Sequence, residues 1–203
     1  FCEMTVNVGP LMSDEEVLRK SEEWFTTALV QDEDGRMAGA LIVTGELAPP
    51  DFAWLNELRR RHYPAERNQL PAHLTMFHAI PPSAESELRQ LLRVMAEGSP
   101  PRAWIAGVMN LGGGVALRIA SDELDRIREE LAQRLRGLLT AQDSAGWSAH
   151  VTIQNKVPPR EARTLIQALG SQFEGRPVGI SGLGLHRYLG GPWENLRTFP
   201  FRN

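Results

Sequence analysis

Two short phrases in this chain could do acid-base chemistry. His73-Leu74-Thr75-Met76 and His150-Val151-Thr152-Ile153 repeat the pattern His-apolar-Thr-apolar, with the histidines 77 residues apart. In a strand, successive side chains face opposite ways, so each His and its Thr share one face and the apolar pair takes the other. An imidazole with an ordinary pKa near ~6.5 can give or take a proton at neutral pH. Two imidazoles on opposite sides of a phosphorus atom suit in-line displacement, one as base and one as acid. Two hydroxyls could hold the non-bridging oxygens, with bonds that strengthen as charge grows. His73 and His150 are therefore the candidate catalytic pair, and Thr75 and Thr152 the candidate phosphate ligands. One such phrase alone is weak, because a lone strand histidine is usually structural.

Each phrase sits within a repeated order of elements. In the first half, strands are expected at 39–44, around His73 and at 103–108, with helices at 50–62 and 83–96. In the second half, strands fall at 114–120 and around His150, with helices at 121–138 and 159–172. Strands at about 178–188 and 194–201 close the chain. The helices are read from apolar stripes such as Leu124, Ile127, Leu131 and Leu135. Leu41 and Leu117 are 76 residues apart, close to the histidine spacing. A duplicated unit that packs about a pseudo-dyad brings equivalent residues together. The expected fold is α+β, with two pseudo-symmetric lobes and mainly antiparallel sheets around a central cleft. Its sequence lobes would run from 38 to 110 and from 114 to 203. Residues 1–37 stand outside the repeat. Ser13-Asp14-Glu15-Glu16 reads as a capping box opening a helix over 14–29, with a polar linker after it.

The chain has 203 residues, 42% hydrophobic and 23% charged, with a net charge of -3. That balance provides no global basic field for long nucleic acid, but leaves room for a small anion or the end of an RNA. Cys2 is the only cysteine, which rules out an intramolecular disulfide or multi-cysteine metal site and fits a reducing, cytoplasmic setting. No apolar run approaches the roughly 18 residues of a membrane span, and the start lacks a secretory pattern. No membrane partner is expected.

With both phrases and the repeat in hand, the sequence resembles the 2H phosphoesterase superfamily. Within it, the nearest likeness is to the bacterial 2',5' RNA ligase / RNA 2',3'-cyclic phosphodiesterase group. The resemblance spans about 38–202 and includes Leu70-Pro71-Ala72-His73-Leu74-Thr75-Met76-Phe77-His78 and Arg187-Tyr188-Leu189-Gly190-Gly191-Pro192-Trp193-Glu194. It implies a hydrolase that needs neither metal nor cofactor and opens 2',3'-cyclic phosphates on RNA ends or nucleotides, with 2',5' RNA ligation as a further activity. The carry-over is limited to His73, Thr75, His150 and Thr152. A monomer is expected.

Other residues are weighed by position. Strand alternation puts Phe77 on the face of His73 and Thr75, making it the best candidate to stack on a base. Trp147, Tyr188 and Trp193 default to the core. His186, in the late strand, is a candidate substrate contact. His78 should point off the cleft, and His62 closes a helix, where a cation is favourable. Arg59, Arg60, Arg61 and Arg67 read mainly as a solvated helix end, although one could reach a phosphate. Gly112-Gly113-Gly114 lies between strands and opens no helix, so it is a turn joining the lobes rather than a phosphate loop. Two competing readings remain. One is a module that binds nucleotides without turnover, although it would not need two titrating groups. The other is a histidine-based metal hydrolase, disfavoured because no acidic residue stands at ligand spacing.

Overall fold

The computed structural model describes residues 29–31, 37–170 and 174–202. Most of the helix expected over 14–29 lies outside them. After a small hairpin, β1 (Leu29–Gln31) with β2 (Met37–Gly39), the chain forms β3 (Leu41–Leu47), α1 (Pro49–His62), β4 (Leu74–Ile80), α2 (Glu85–Met95) and β5 (Arg102–Asn110). It continues through β6 (Val115–Ala120), α3 (Asp122–Arg134), the single turn α4 (Ala141–Ser144) and β7 (His150–Gln154). Helix α5 (Pro159–Gly170) and the strands β8 (Arg176–Tyr188) and β9 (Trp193–Pro200) complete it. The fold is α+β, and its main sheet is an open, antiparallel sheet of seven strands.

The sheet order β4-β3-β8-β5-β6-β7, with β9 on β8, crosses the sequence repeat. Strand β5 from the first repeat lies between β8 and β6, and β8 from the second lies beside β3. At 13 residues, β8 serves both parts of the sheet. Its start pairs with β5 through Arg176–Gly179, and its remainder pairs with β3 and β9. The division of the sheet in space therefore differs from a division of the chain near 110–114. Gly112, with φ of 83°, supplies the left-handed turn from β5 to β6.

Alternation explains why the sheet has one apolar and one polar face. Leu41 and Val43, Leu74 and Met76, Leu117 and Ile119, Val151 and Ile153, and Leu183 and Leu185 all enter the core. Helices cover that face with Leu55 of α1, Leu88 and Leu92 of α2, Leu124 and Leu131 of α3, and Ala162 and Leu165 of α5. Burying each such leucine contributes about 1.5–3 kcal/mol before entropy is counted. Helix starts are specified locally. Ser121 Oγ accepts from Leu124 N at 3.1 Å, and prolines open α1 and α5. No described helix is long and apolar enough to cross a membrane.

Candidate active site

The residues alternating with this core share the opposite face. His73 immediately before β4, Thr75 within it, and His150 and Thr152 in β7 are all half-buried. Strands β4 and β7 approach each other although neither pairs with the other in the sheet. The two imidazoles make the same local bond: His73 Nδ1 lies 2.8 Å from Pro71 O, and His150 Nδ1 lies 2.7 Å from Ser148 O. A carbonyl can only accept, so Nδ1 carries hydrogen in both rings. In the neutral ring, Nε2 is therefore a lone-pair base, and in the charged ring it is a donor.

Their surroundings favour the neutral form. Loss of water pushes His73 down to about 4; the Pro71 carbonyl opposes this, while Arg59, His78 and His150 add to it. His150 is also lowered, mainly by burial, which outweighs the opposing Ser148 carbonyl, with His78 contributing. These shifts make the fold less stable as pH falls from ~6.5 toward 4, because the unfolded chain then binds protons that the folded rings refuse.

Each half of the chain is gripped by groups from the other. Arg59 of α1 is only 4% exposed. It donates to Thr152 O at 2.7 Å, Leu70 O at 3.0 Å and Asn68 Oδ1 at 2.8 Å. The expectation of a solvated helix end thus fails for Arg59, which ties the loop before His73 to the strand of His150. We expect Arg59→Ala to strand these buried acceptors and cost about 2–4 kcal/mol, read by chemical denaturation. A loss below about 0.5 kcal/mol would mean that water replaces the guanidinium. In the other direction, Arg128 of α3 donates to Met76 O at 2.8 Å and to Asp143 O. Trp147 Nε1 donates to Thr75 O at 3.1 Å.

Phe77 does not line the site. It is 0% exposed, and the Arg128 guanidinium lies 3.8 Å from its ring centroid. The cause is a β-bulge. Val43 and Thr44 are adjacent on β3, but their partners Phe77 and Thr75 are two residues apart on β4. The extra residue breaks the alternation, so Met76 and Phe77 both turn to the core. A second irregularity follows before Ile80, and the Asp143 carboxylate accepts from His78 N and Ala79 N at 2.9 Å each. It also bonds His78 Nδ1 at 3.0 Å; the bulge removes the alternation that was expected to turn His78 off the cleft, and this exposed ring acts on both His73 and His150.

His186 does reach the polar face, within a network that the sequence did not reveal. Thr44 Oγ1 donates to Glu46 Oε1 at 2.5 Å and lies 2.9 Å from His186 Nε2, which is 3.4 Å from Glu46 Oε1. The hydroxyl has one proton and gives it to the carboxylate, so His186 Nε2 donates to the hydroxyl. Burial works to raise the Glu46 pKa, but bonds from His186 and Thr44 and the charges of His186 and His73 outweigh it and hold the group ionised. The three polar atoms converge over Gly184, where a Cβ would collide with all of them. The Trp193 ring lies between His73 and His186, at centroid distances of 4.7 and 5.7 Å.

Sheet register identifies further neighbours. Thr44 pairs with Thr75 and Gly45 with Leu74, so the next step brings Glu46 alongside His73. On the other side, Arg118 pairs with His150 and Ala116 with Thr152. Arg118 is exposed, and among the described residues it has no bonded partner. The only local signal for Arg118 was a charge alternating with apolar residues on the strand expected at 114–120, and Glu46 fell beyond the strand expected at 39–44.

An α+β sheet presenting twin His-x-Thr strands on one face defines the architecture of a 2H phosphoesterase. The chain matches the 2'-5' RNA ligase superfamily over residues 47–192 and belongs to it. Its fold is similar to that of TT0787 of Thermus thermophilus, with a TM-score of 0.58 and 18% identity, covering 81% of this chain and 98% of that one. A crystal structure described as a phosphoesterase aligns with a TM-score of 0.52 and 15% identity, over 81% and 99% of the two chains. E. coli LigT complexed with NADP+ gives 0.51 and 13% identity, over 81% and 98%. No curated protein matches the sequence.

Proposed function

We propose that the chain is a phosphodiesterase that opens 2',3'-cyclic phosphates on RNA ends or nucleotides by two-histidine acid-base catalysis. The observation that carries this reading is the matched pair of imidazoles on one face, each with Nδ1–H bound to the carbonyl two residues before it and Nε2 left for chemistry. One neutral imidazole takes a proton from water as its oxygen bonds to phosphorus. The bond from phosphorus to one ribose oxygen breaks, and the other imidazole, protonated, delivers its proton to that oxygen. The product is a 2'- or 3'-phosphomonoester. Thr75 and Thr152 would donate to the non-bridging oxygens as their charge grows. Thr44, Glu46, His186 and Trp193 would form the wall beside His73.

Both candidate histidines come from one chain, so a monomer is the proposed working unit. Nucleotide substrates agree with superfamily membership and with the NADP+ held by E. coli LigT, a protein of similar fold. Ligation of 2',5' bonds is the same displacement run with a hydroxyl nucleophile. A panel of 2',3'-cyclic mononucleotides and cyclic-ended oligonucleotides, with the product isomers identified, tests the reading. Failure to open any of them would overturn it.

The lowered pKa values also predict the pH profile. Turnover needs one neutral and one charged imidazole, and the free enzyme holds both rings mostly neutral at pH 7. The acid form is therefore scarce and becomes scarcer as pH rises. We expect kcat/KM to be bell-shaped with its maximum between about 4 and ~6.5, unaffected by EDTA. A maximum above pH 7, or strict dependence on a divalent ion, would contradict the mechanism.

A further inference from the structure

The two candidate catalytic histidines have neighbours of opposite charge. Glu46 lies alongside His73 by sheet register, and Arg118 lies across the ladder from His150. Both occupy the polar face of the sheet, where directly opposed side chains stand about 4.5–5.5 Å apart at Cβ. The pseudo-symmetry of the twin phrases is therefore broken electrostatically, with a cation on one side and an anion on the other.

The two charges differ in how they are held. Glu46 is fixed through Oε1 by Thr44 and His186, and the space for this network exists because position 184 is glycine. Held in this way, the carboxylate cannot easily swing aside from an approaching anion. Arg118 has no protein partner among the described residues and is exposed, so its guanidinium is available to an anion.

We propose that Arg118 and Glu46 make the cleft select ligands by charge. Arg118 draws a phosphoryl group to the His150 side, while Glu46 penalises a second negative charge. The cleft then accepts singly charged phosphodiesters and releases doubly charged phosphomonoesters. This rests on reading the cleft as a phosphate site. It adds a cause for product release above about pH 6: opening a cyclic phosphate converts a monoanion into a group whose second pKa is about 6, so above that pH the product is repelled where the substrate was tolerated. One extra unit charge about 6 Å from a carboxylate, at an effective dielectric of about 20, corresponds to roughly a hundredfold in affinity. Water in an open cleft reduces this, and about tenfold is expected.

The test measures binding of adenosine 2',3'-cyclic phosphate and adenosine 2'-monophosphate to the intact chain at pH 8, by calorimetry and as KM and competitive Ki. Glu46→Gln keeps the shape and can still accept from Thr44. It should tighten the monophosphate about tenfold more than the cyclic phosphate. Arg118→Gln should weaken both nucleotides. Glu129→Gln, which removes an exposed charge from α3, controls for net charge and should leave the ratio of the two affinities unchanged. If both nucleotides bind but Glu46→Gln leaves their ratio unchanged, or Arg118→Gln leaves their affinities unchanged, the charge selection is wrong while the phosphate-site reading stands. If neither nucleotide binds the wild-type chain, the phosphate-site reading fails and this proposal fails with it.

Discussion

His150→Ala and His73→Ala are each expected to lower turnover of a 2',3'-cyclic phosphate by about 10²–10⁴. Each removes a group that must move a proton in the step that makes or breaks a bond to phosphorus. The two losses should not add, because a displacement that has lost either its base or its acid gains little from the other. The fold should tolerate both changes. The rings are half-buried on the sheet's polar face, and their Nδ1–H bonds go to local carbonyls rather than into the core. Circular dichroism and nucleotide binding should therefore stay close to wild type while turnover falls. This also separates an enzyme from a module that only binds, since the latter has no turnover to lose. A folded His150→Ala variant that opens the cyclic phosphate at the wild-type rate would eliminate the two-histidine mechanism.

The next largest effect is expected at the threonines. Thr75→Val and Thr152→Val should each reduce kcat by roughly 10²–10³, the typical cost of one donor to a developing oxyanion. Among the described residues neither hydroxyl has a protein partner, so removing it breaks no bond within the fold. Valine also keeps the β-branching that suits a strand. The backbone carbonyls of both residues remain held, Thr75 O by Trp147 and Thr152 O by Arg59. Stability should thus be nearly unchanged, and the loss should appear in kcat more than in KM. Unchanged turnover in a folded double variant would show that these hydroxyls do not touch the phosphate.

What the sequence determined by itself was local in character. The alternation of His-Leu-Thr-Met and His-Val-Thr-Ile specifies which side chains leave the core, because strand geometry turns each residue opposite to the last. Apolar stripes at helical spacing place α1, α2, α3 and α5 within a few residues of their observed ends, since a helix must bury one face wherever it packs. The repetition of both signals was enough for the α+β class and for the twin phrases of the superfamily.

The remainder depends on pairing between distant segments. A bulge in β4 is invisible in the residues of β4 alone, and it is what moves Phe77 from the polar face into the core. Arg59 reads as one of three consecutive arginines ending a helix, yet packing of α1 against β7 buries it where Thr152 needs a donor. Glu46 becomes a neighbour of His73, and Arg118 of His150, only once strand register is set. His186 reaches Thr44 from 142 positions away because β8 crosses between the repeats and lies beside β3. Face and period are properties of a single segment, so the sequence determines them directly. Register, bulges and the environment of a buried charge are properties of segment pairs, and only the tertiary structure, choosing among many possible pairings, decides them.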